Sequence, residues 1–302
     1  MTDLTIIGAG PAGLTAAIYA ARRNLTFRIF EAGEAGGYML KAGTIENYPG
    51  FPEAQSGAEL ASRMKKQAEK FKAKIEKKNV SAIQKDENGF LVITQDGEAV
   101  ECSTVLIATG AQYRRLNIKN EEKFIGHGLS YCSTCDGPLF RGKTIAVVGG
   151  GDKPVESALY LEGIAKKVYL VQKKTEQATD KELAARLEKS KIEKLWDHMV
   201  VEVKGGAKLE SAVFKELKTG KEKEIQLDGL FLEIGAMPGT ELTKGCGIKT
   251  DADGYIIVNH KQETSCPGVY AAGDVTGRVK QISVAVGDAA VAVISAKEYL
   301  KK

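Results

Sequence analysis

The sequence predicts an α/β protein that uses one strand–turn–helix unit twice, and two observations carry that prediction. The chain opens with a short apolar run at 4–7 and passes through Gly8-Ala9-Gly10-Pro11-Ala12-Gly13 into a helix to about residue 23. A second apolar run at 26–30 then ends on Glu31. Near its middle the chain repeats this plan: a run at 144–148, then Gly149-Gly150-Gly151-Asp152-Lys153-Pro154, a helix to about residue 163, and a run at 168–171 before Gln172. Gly8, Gly10, Gly13 and Glu31 stand at the same relative spacing as Gly149, Gly151, Pro154 and Gln172. The exits match too, Ala108-Thr109-Gly110 against Glu233-Ile234-Gly235. Strands alternating with helices make a parallel sheet with crossover helices, and the repeat reads as a duplicated dinucleotide fold. The fold class is therefore α/β, with two Rossmann-like three-layer domains.

The 302 residues suffice for two domains with ample cores. With 43% hydrophobic and 27% charged residues, the composition is that of an ordinary globular protein. A net charge of +4, with lysines intermixed with glutamates as in Lys65-Lys66-Gln67-Ala68-Glu69-Lys70, does not point to nucleic acid. No apolar run approaches the roughly 18 residues that span a bilayer. The N-terminus enters a strand directly, without a signal-peptide pattern. Five cysteines, mostly unpaired by spacing, speak against a secreted disulfide framework and for a reducing, cytoplasmic setting.

In the first unit Gly8 makes the tight turn, Gly10 lets backbone approach a pyrophosphate, and Gly13 permits close helix–strand packing. The helix N-terminus offers amides and a positive dipole end to the diphosphate. Glu31, about 20 positions on, can accept from both hydroxyls of an adenosine ribose. Gly36-Gly37 and the segment 45–52, with Pro49 and Pro52, read as loop. A helix is expected over 57–71, with Leu60, Met64 and Ala68 on its apolar face. Alternation across 80–102, broken at Asp86-Glu87-Asn88-Gly89, predicts hairpins, and a strand at 104–108 runs into Thr109-Gly110. Late in the chain a short apolar strand ends in Gly273-Asp274-Val275, and an apolar helix follows over about 281–299. Asp274 can accept from a polyol chain, or simply cap a turn.

The chemistry-bearing stretch is Tyr131-Cys132-Ser133-Thr134-Cys135-Asp136-Gly137. A Cys-x-x-Cys pair can close a small disulfide ring, with thiolates tuned by a helix start or an ionisable neighbour. Asp136 stands where a departing thiolate needs a proton. Half of a zinc site is the alternative, but zinc wants four ligands. Cys102, Cys246 and Cys266 are lone, and His127, His198 and His260 are scattered, so redox chemistry is preferred and no metal is expected.

Four features in this order resemble the low-molecular-weight thioredoxin reductase family over essentially the whole chain. They are the first glycine turn with Glu31, the Cys-x-x-Cys-Asp, the second glycine turn, and the terminal Gly-Asp-Val followed by Gln281. Its most specific segments are Glu46-Asn47-Tyr48-Pro49-Gly50, residues 130–137 and Tyr270-Ala271-Ala272-Gly273-Asp274-Val275. The resemblance implies an FAD-binding domain of residues 1–114 and 242–302, with an NAD(P)-binding-like domain at 115–241 inserted in it and carrying the dithiol. It implies that Gly8, Gly10, Ala12, Gly13 and Glu31 hold the adenosine diphosphate of FAD. Gly37, Asn47, Asp274 and Gln281 would lie along the ribityl chain and isoalloxazine, and Gly36, Val80, Thr109, Gly110, Gly273 and Ile282 would complete the site. It further implies that Cys135 faces the flavin, that Cys132 attacks the disulfide of thioredoxin, that Asp136 supplies the proton, and that the chain is a homodimer.

The second glycine turn departs from the family pattern. Lys153-Pro154 replaces a Ser-Ala, and Gln172-Lys173-Lys174 with Ala178 replaces an arginine-rich 2′-phosphate site. Lysines can neutralise a phosphate but lack the planar fork of arginine. Gly149, Gly151, Asp152, Lys153, Lys173 and Lys174 are the candidate donor-site residues. NADPH, NADH, reduced deazaflavin and reduced ferredoxin all stay open as donors. Tyr38 stands where a glutamine is common near the flavin. Two other functions remain open: reduction of a different small redox protein, and a sensor or scaffold role for a flavoprotein without a donor site.

Overall fold

The computed structural model describes residues 1–174 and 180–301. The chain divides into two compact units, Met1–Gln112 with Ala236–Lys302, and Tyr113–Gly235.

The first unit begins with β1 (Thr2–Ile7), α1 (Pro11–Arg22) and β2 (Phe27–Glu31), as the pattern predicts. Pro11 occupies the first turn of α1, where its missing N–H has no intrahelical partner to lose. The helix buries mainly small residues, Ala12, Gly13, Ala16, Ala17 and Ala20, so it packs close to its neighbours. Next come α2 (Gly57–Lys70), β3 (Ile75–Lys77), β4 (Val80–Asp86), β5 (Gly89–Thr94) and β6 (Ala99–Ile107). Ser56 caps α2 by accepting from the Glu59 amide at 3.1 Å, and Leu60, Ala61, Met64 and Ala68 form its buried face. The predicted hairpins are the antiparallel run β4–β5–β6. β6 serves two pairings: residues 99–102 pair with β5, and residues 102–107 run parallel to β1.

After the short β7 (Ala111–Tyr113) the second unit holds α3 (Glu121–Phe124), β8 (Leu129–Ser130), α4 (Ser133–Asp136), β9 (Thr144–Val148), α5 (Asp152–Glu162) and β10 (Lys167–Val171). It continues through α6 (Lys181–Lys189), β11 (Glu193–Leu195), β12 (His198–Lys204), β13 (Ser211–Glu216), β14 (Glu222–Gln226) and β15 (Gly229–Leu232). Its main sheet is parallel, in the order β11-β10-β9-β15-β8. One face buries Ile145, Val147, Leu170 and Phe231 against Val155, Ala158 and Leu161 of α5. β12, β13 and β14 form a separate antiparallel sheet that the sequence patterning did not single out.

The chain then returns through β16 (Ala236–Pro238), which pairs with β7, to β17 (Val269–Ala271) and α7 (Ile282–Tyr299) in the first unit. β17 lies parallel to β6, completing the order β3-β2-β1-β6-β17 of the parallel part. Strand residues alternate between two cores. Leu4, Ile6, Leu106 and Tyr270 face α1, α2 and α7. Ile7, Val105, Ile107, Val269 and Ala271 face the β4–β6 meander and the return segment. Five parallel strands therefore end on one edge, and that edge carries the first glycine turn. Among the described residues no helix is long and apolar enough to cross a membrane.

Candidate active site

In the second unit the two cysteines are joined. Cys132 and Cys135 form a disulfide with their Cα atoms 5.3 Å apart. The pair lies where β8 ends. Cys132 is the N-cap of the one-turn helix α4, and its sulfur accepts from the Cys135 amide at 3.2 Å. Ser130, the last residue of β8, holds the turn from both sides. Its hydroxyl accepts from the Cys132 amide at 3.0 Å and donates to Asp136 Oδ2 at 2.6 Å. Burial pushes the Asp136 carboxyl above the usual carboxylate range, against the downward pull of the Ser130 hydrogen bond. Tyr131 is fixed by donating to Glu121 Oε1 at 2.9 Å and by a tilted ring contact with Tyr113, centroids 5.2 Å apart. Ser130 opens the segment 130–137 that carries the resemblance but was given no role there, and Glu121 was not singled out, since a lone glutamate at that separation carries no motif.

The second glycine turn sits on the same sheet edge. Gly149 has φ +158, and a Cβ there would lie 2.3 Å from the Glu233 carbonyl oxygen. Gly151 caps α5 with φ +88 and no side-chain hydrogen bond. Pro154 is buried in the first turn of α5, its ring 3.1 Å from where a Gly149 Cβ would stand, and the helix runs on unbroken to Glu162. Lys153 is largely exposed, and its ammonium lies 3.8 Å from Glu233 Oε2. Asp152 Oδ1 accepts from the Asp180 amide at 2.9 Å. Gln172 is buried just after β10, and among the described residues its Nε2 has no hydrogen-bond partner. Lys173 and Lys174 are exposed, and Ala178 lies outside the described residues.

In the first unit the corresponding turn is tighter. A Cβ on Gly13 would stand 1.8 Å from the Gly8 carbonyl oxygen, and one on Gly8 would stand 2.3 Å from that of Ala108. The two glycine turns thus meet their exit strands alike, Gly8 on Ala108 and Gly149 on Glu233. Only the first has a glycine beneath the helix. Glu31 accepts from the Ala9 amide at 2.7 Å and the Gly33 amide at 2.8 Å, so it braces the turn while each oxygen keeps a free lone pair.

The other first-unit candidates gather at the same strand ends. Gly36 donates to Ala9 O at 2.8 Å. Gly37, at φ +59, brings its backbone so close to Gly10 that a Cβ would lie 3.1 Å from the Gly10 Cα. Gly273 faces Ala12 and Ala285. Asn47 Nδ2 donates to Gln281 Oε1 at 3.1 Å, immediately before Ile282 begins α7. Thr109 spends its hydroxyl on the Gly239 carbonyl at 2.8 Å, and the Gly239 amide donates to Gly110 O. Val80 is buried in the core that also holds Ile7 and Phe30, the residues that precede Gly8 and Glu31. No donor among the described residues reaches the Asp274 carboxylate, which burial pushes above the usual range while Lys280 pulls it down. A bare-backbone cradle at a helix N-terminus, with an unpartnered acceptor at its far side, fits a dinucleotide that carries a polyol chain.

The remaining thiols are poorly suited to chemistry. Cys102 and Cys266 are buried and Cys246 is half-buried. Burial pushes all three up, Cys246 to about 11, so little thiolate exists near neutrality.

Two dinucleotide-type units with a strand-end disulfide define a dithiol oxidoreductase of the α/β class. The pyridine nucleotide-disulphide oxidoreductase family model matches residues 2–289. The chain is 38% identical to the thioredoxin reductase of Treponema pallidum, over 99% of this chain and 97% of that protein. It is 37% identical to the one from Bacillus subtilis, over 99% and 95%. The crystal structure of thioredoxin reductase from Streptococcus pyogenes superposes with a TM-score of 0.96 at 41% identity, covering 100% of this chain and 98% of that one. The chain belongs to the pyridine nucleotide-disulphide oxidoreductases, and within them to the thioredoxin reductase family.

Proposed function

We propose that this protein is a flavoprotein disulfide reductase that reduces thioredoxin or a thioredoxin-like protein. The observation that carries this reading is the Cys132–Cys135 disulfide at the strand ends, with Asp136 held two bonds of the network away through Ser130. FAD is the cofactor that suits the first unit. Gly8, Gly10, Ala12 and Gly13 would take its diphosphate and Glu31 its ribose, while Gly36, Gly37, Asn47, Asp274 and Gln281 would line the rest. Bound there, FAD supplies a two-electron carrier. We place the protein in the cytoplasm as a homodimer, with the first unit as the flavin domain and the second as the dithiol domain.

Once the pair is reduced, the Cys135 amide that faces Cys132 Sγ favours the thiolate at Cys132. That thiolate attacks one sulfur of the partner's disulfide. A mixed disulfide forms as the partner's S–S bond breaks, and the partner's other sulfur leaves as a thiolate. Cys135 then attacks Cys132 Sγ, restoring the internal disulfide and expelling the second partner thiolate. The two protons that leave Cys132 and Cys135 as they become thiolates end on the partner's two sulfurs, so the exchange is proton-neutral overall, and Asp136, neutral over a wider range than an exposed aspartate, holds one in transit where the sulfurs separate. Cys135→Ser is expected to abolish multiple turnover with thioredoxin and to trap the mixed disulfide at Cys132. Intact turnover in that variant would refute the assignment.

A second reading concerns the donor. Pro154 removes one amide from the first turn of α5, and the Glu233 carboxylate lies beside Lys153 at the same turn. Both weaken a site for a dinucleotide diphosphate, which favours a donor other than NADPH, such as a reduced deazaflavin or ferredoxin.

A further inference from the structure

The redox ring contains one buried side chain, and it is not a cysteine. Cys132 and Cys135 are half-buried and Thr134 is exposed, whereas Ser133 is 5% exposed. Its hydroxyl points away from the sulfurs into a closed group. Ser133 Oγ lies 2.8 Å from Glu233 Oε1 and 2.8 Å from Ser157 Oγ, and Ser157 Oγ donates to the same Glu233 oxygen at 3.0 Å. All three residues are buried. They come from three elements: the redox turn, the second turn of α5, and the residue that follows β15. The register places Glu233 there, because β8 and β15 run parallel with Ser130 beside Phe231.

Packing alone does not call for this arrangement. An alanine at 133 and an apolar residue at 233 would fill the space without the cost of burying a carboxylate, which is tolerated only when donors satisfy it. The geometry points to Glu233 as a positioning residue for the dithiol, acting through Ser133. It ties the start of α4 to the end of β15 and to α5, so the turn keeps its backbone in place when the S–S bond opens. Cys132 Sγ then stays opposite the Cys135 amide that favours its thiolate. This rests on Cys132 and Cys135 being the reacting pair.

The test uses full-length, flavin-loaded, reduced protein and reads the rate of Cys132 exchange with dithionitrobenzoate. Glu233→Ala and Ser133→Ala are each expected to slow exchange about tenfold, the size of effect that coupled neighbours show. The double variant is expected to be no slower than either single one. Glu233→Gln keeps an oxygen that can accept both hydroxyl bonds and is expected to recover most of the rate. Multiplying effects in the double variant, or a Gln variant as slow as Ala, would overturn the inference. If Glu233→Ala does not fold, Ser133→Ala and Ser157→Ala carry the same test, and unchanged exchange in both refutes it. A wild-type protein that fails to exchange at Cys132 would overturn the underlying function as well, whereas normal wild-type exchange with unaffected variants would sink this inference alone.

Discussion

Asp136 and Asp274 share a condition that sets their behaviour: each is a carboxyl pushed above its ordinary pKa by burial. A raised folded-state value means that protonation favours the folded state. The stabilising contribution is complete below the ordinary aspartate value and fades as pH rises through the raised one. Asp136→Asn should therefore raise the melting temperature at pH 7 to 8, with the gain vanishing in acid, while slowing thiol–disulfide exchange roughly 10- to 100-fold through loss of the proton donor. Parallel thermal melts and exchange rates across pH would check both halves. A variant no more stable at neutral pH would contradict the burial argument. Asp274→Asn serves as a second probe. It replaces one oxygen of a carboxylate that no described residue satisfies with an amide NH2, so the chain should fold normally yet retain about tenfold less flavin, read from the visible absorbance of the purified protein.

Helix and strand geometry explain why the two glycine turns differ. α1 approaches β1 because Gly13 has no side chain, whereas α5 carries the Pro154 ring at the matching place. In Gly13→Ala a methyl group would stand 1.8 Å from Gly8 O, forcing α1 away from the strand end. The expected cost is about 1–3 kcal/mol, with loss of bound flavin. Gly97→Ala is the contrast. Nothing described lies within 4 Å of its Cβ, and only its φ of +88 resists the change. The loss there should be about 1–2 kcal/mol with flavin retained. Denaturant unfolding and absorbance distinguish the two; equal flavin content in both variants would refute the close-packing account. Hairpins and apolar faces in this chain were legible because each is set by neighbours a few residues apart. The β12–β14 sheet was not, since Met199, Val200 and Val203 lie among charged residues that blur the alternation.

At the scale of the molecule, similarity to the family runs over essentially the whole chain. Lys153-Pro154 in the second glycine turn is where the sequence departs from the pattern that the resemblance implies, which makes the donor the point to test. Anaerobic stopped-flow mixing with NADPH, NADH, reduced deazaflavin and reduced ferredoxin should bleach the flavin at least about tenfold faster with a donor other than the pyridine nucleotides, given the altered first turn of α5. Millisecond bleaching by NADPH would reverse that expectation and return Lys153, Lys173 and Lys174 to the donor site.

By itself the sequence determined the duplicated α/β plan, the glycine turns with Glu31, and the reacting pair Cys132 and Cys135. These are local: hydrophobic periodicity, backbone freedom at glycine and a four-residue spacing are all written in consecutive residues. Tertiary structure decided what surrounds the pair. Ser133 reads as filler between two cysteines until parallel pairing of β8 with β15 brings Glu233, 100 residues away, against its hydroxyl. Likewise, Asn47 meets Gln281 across 234 residues only because the chain returns to the sheet it began. A buried hydrogen bond depends on which strand ends lie side by side, and that is a property of the folded sheet rather than of any stretch of chain.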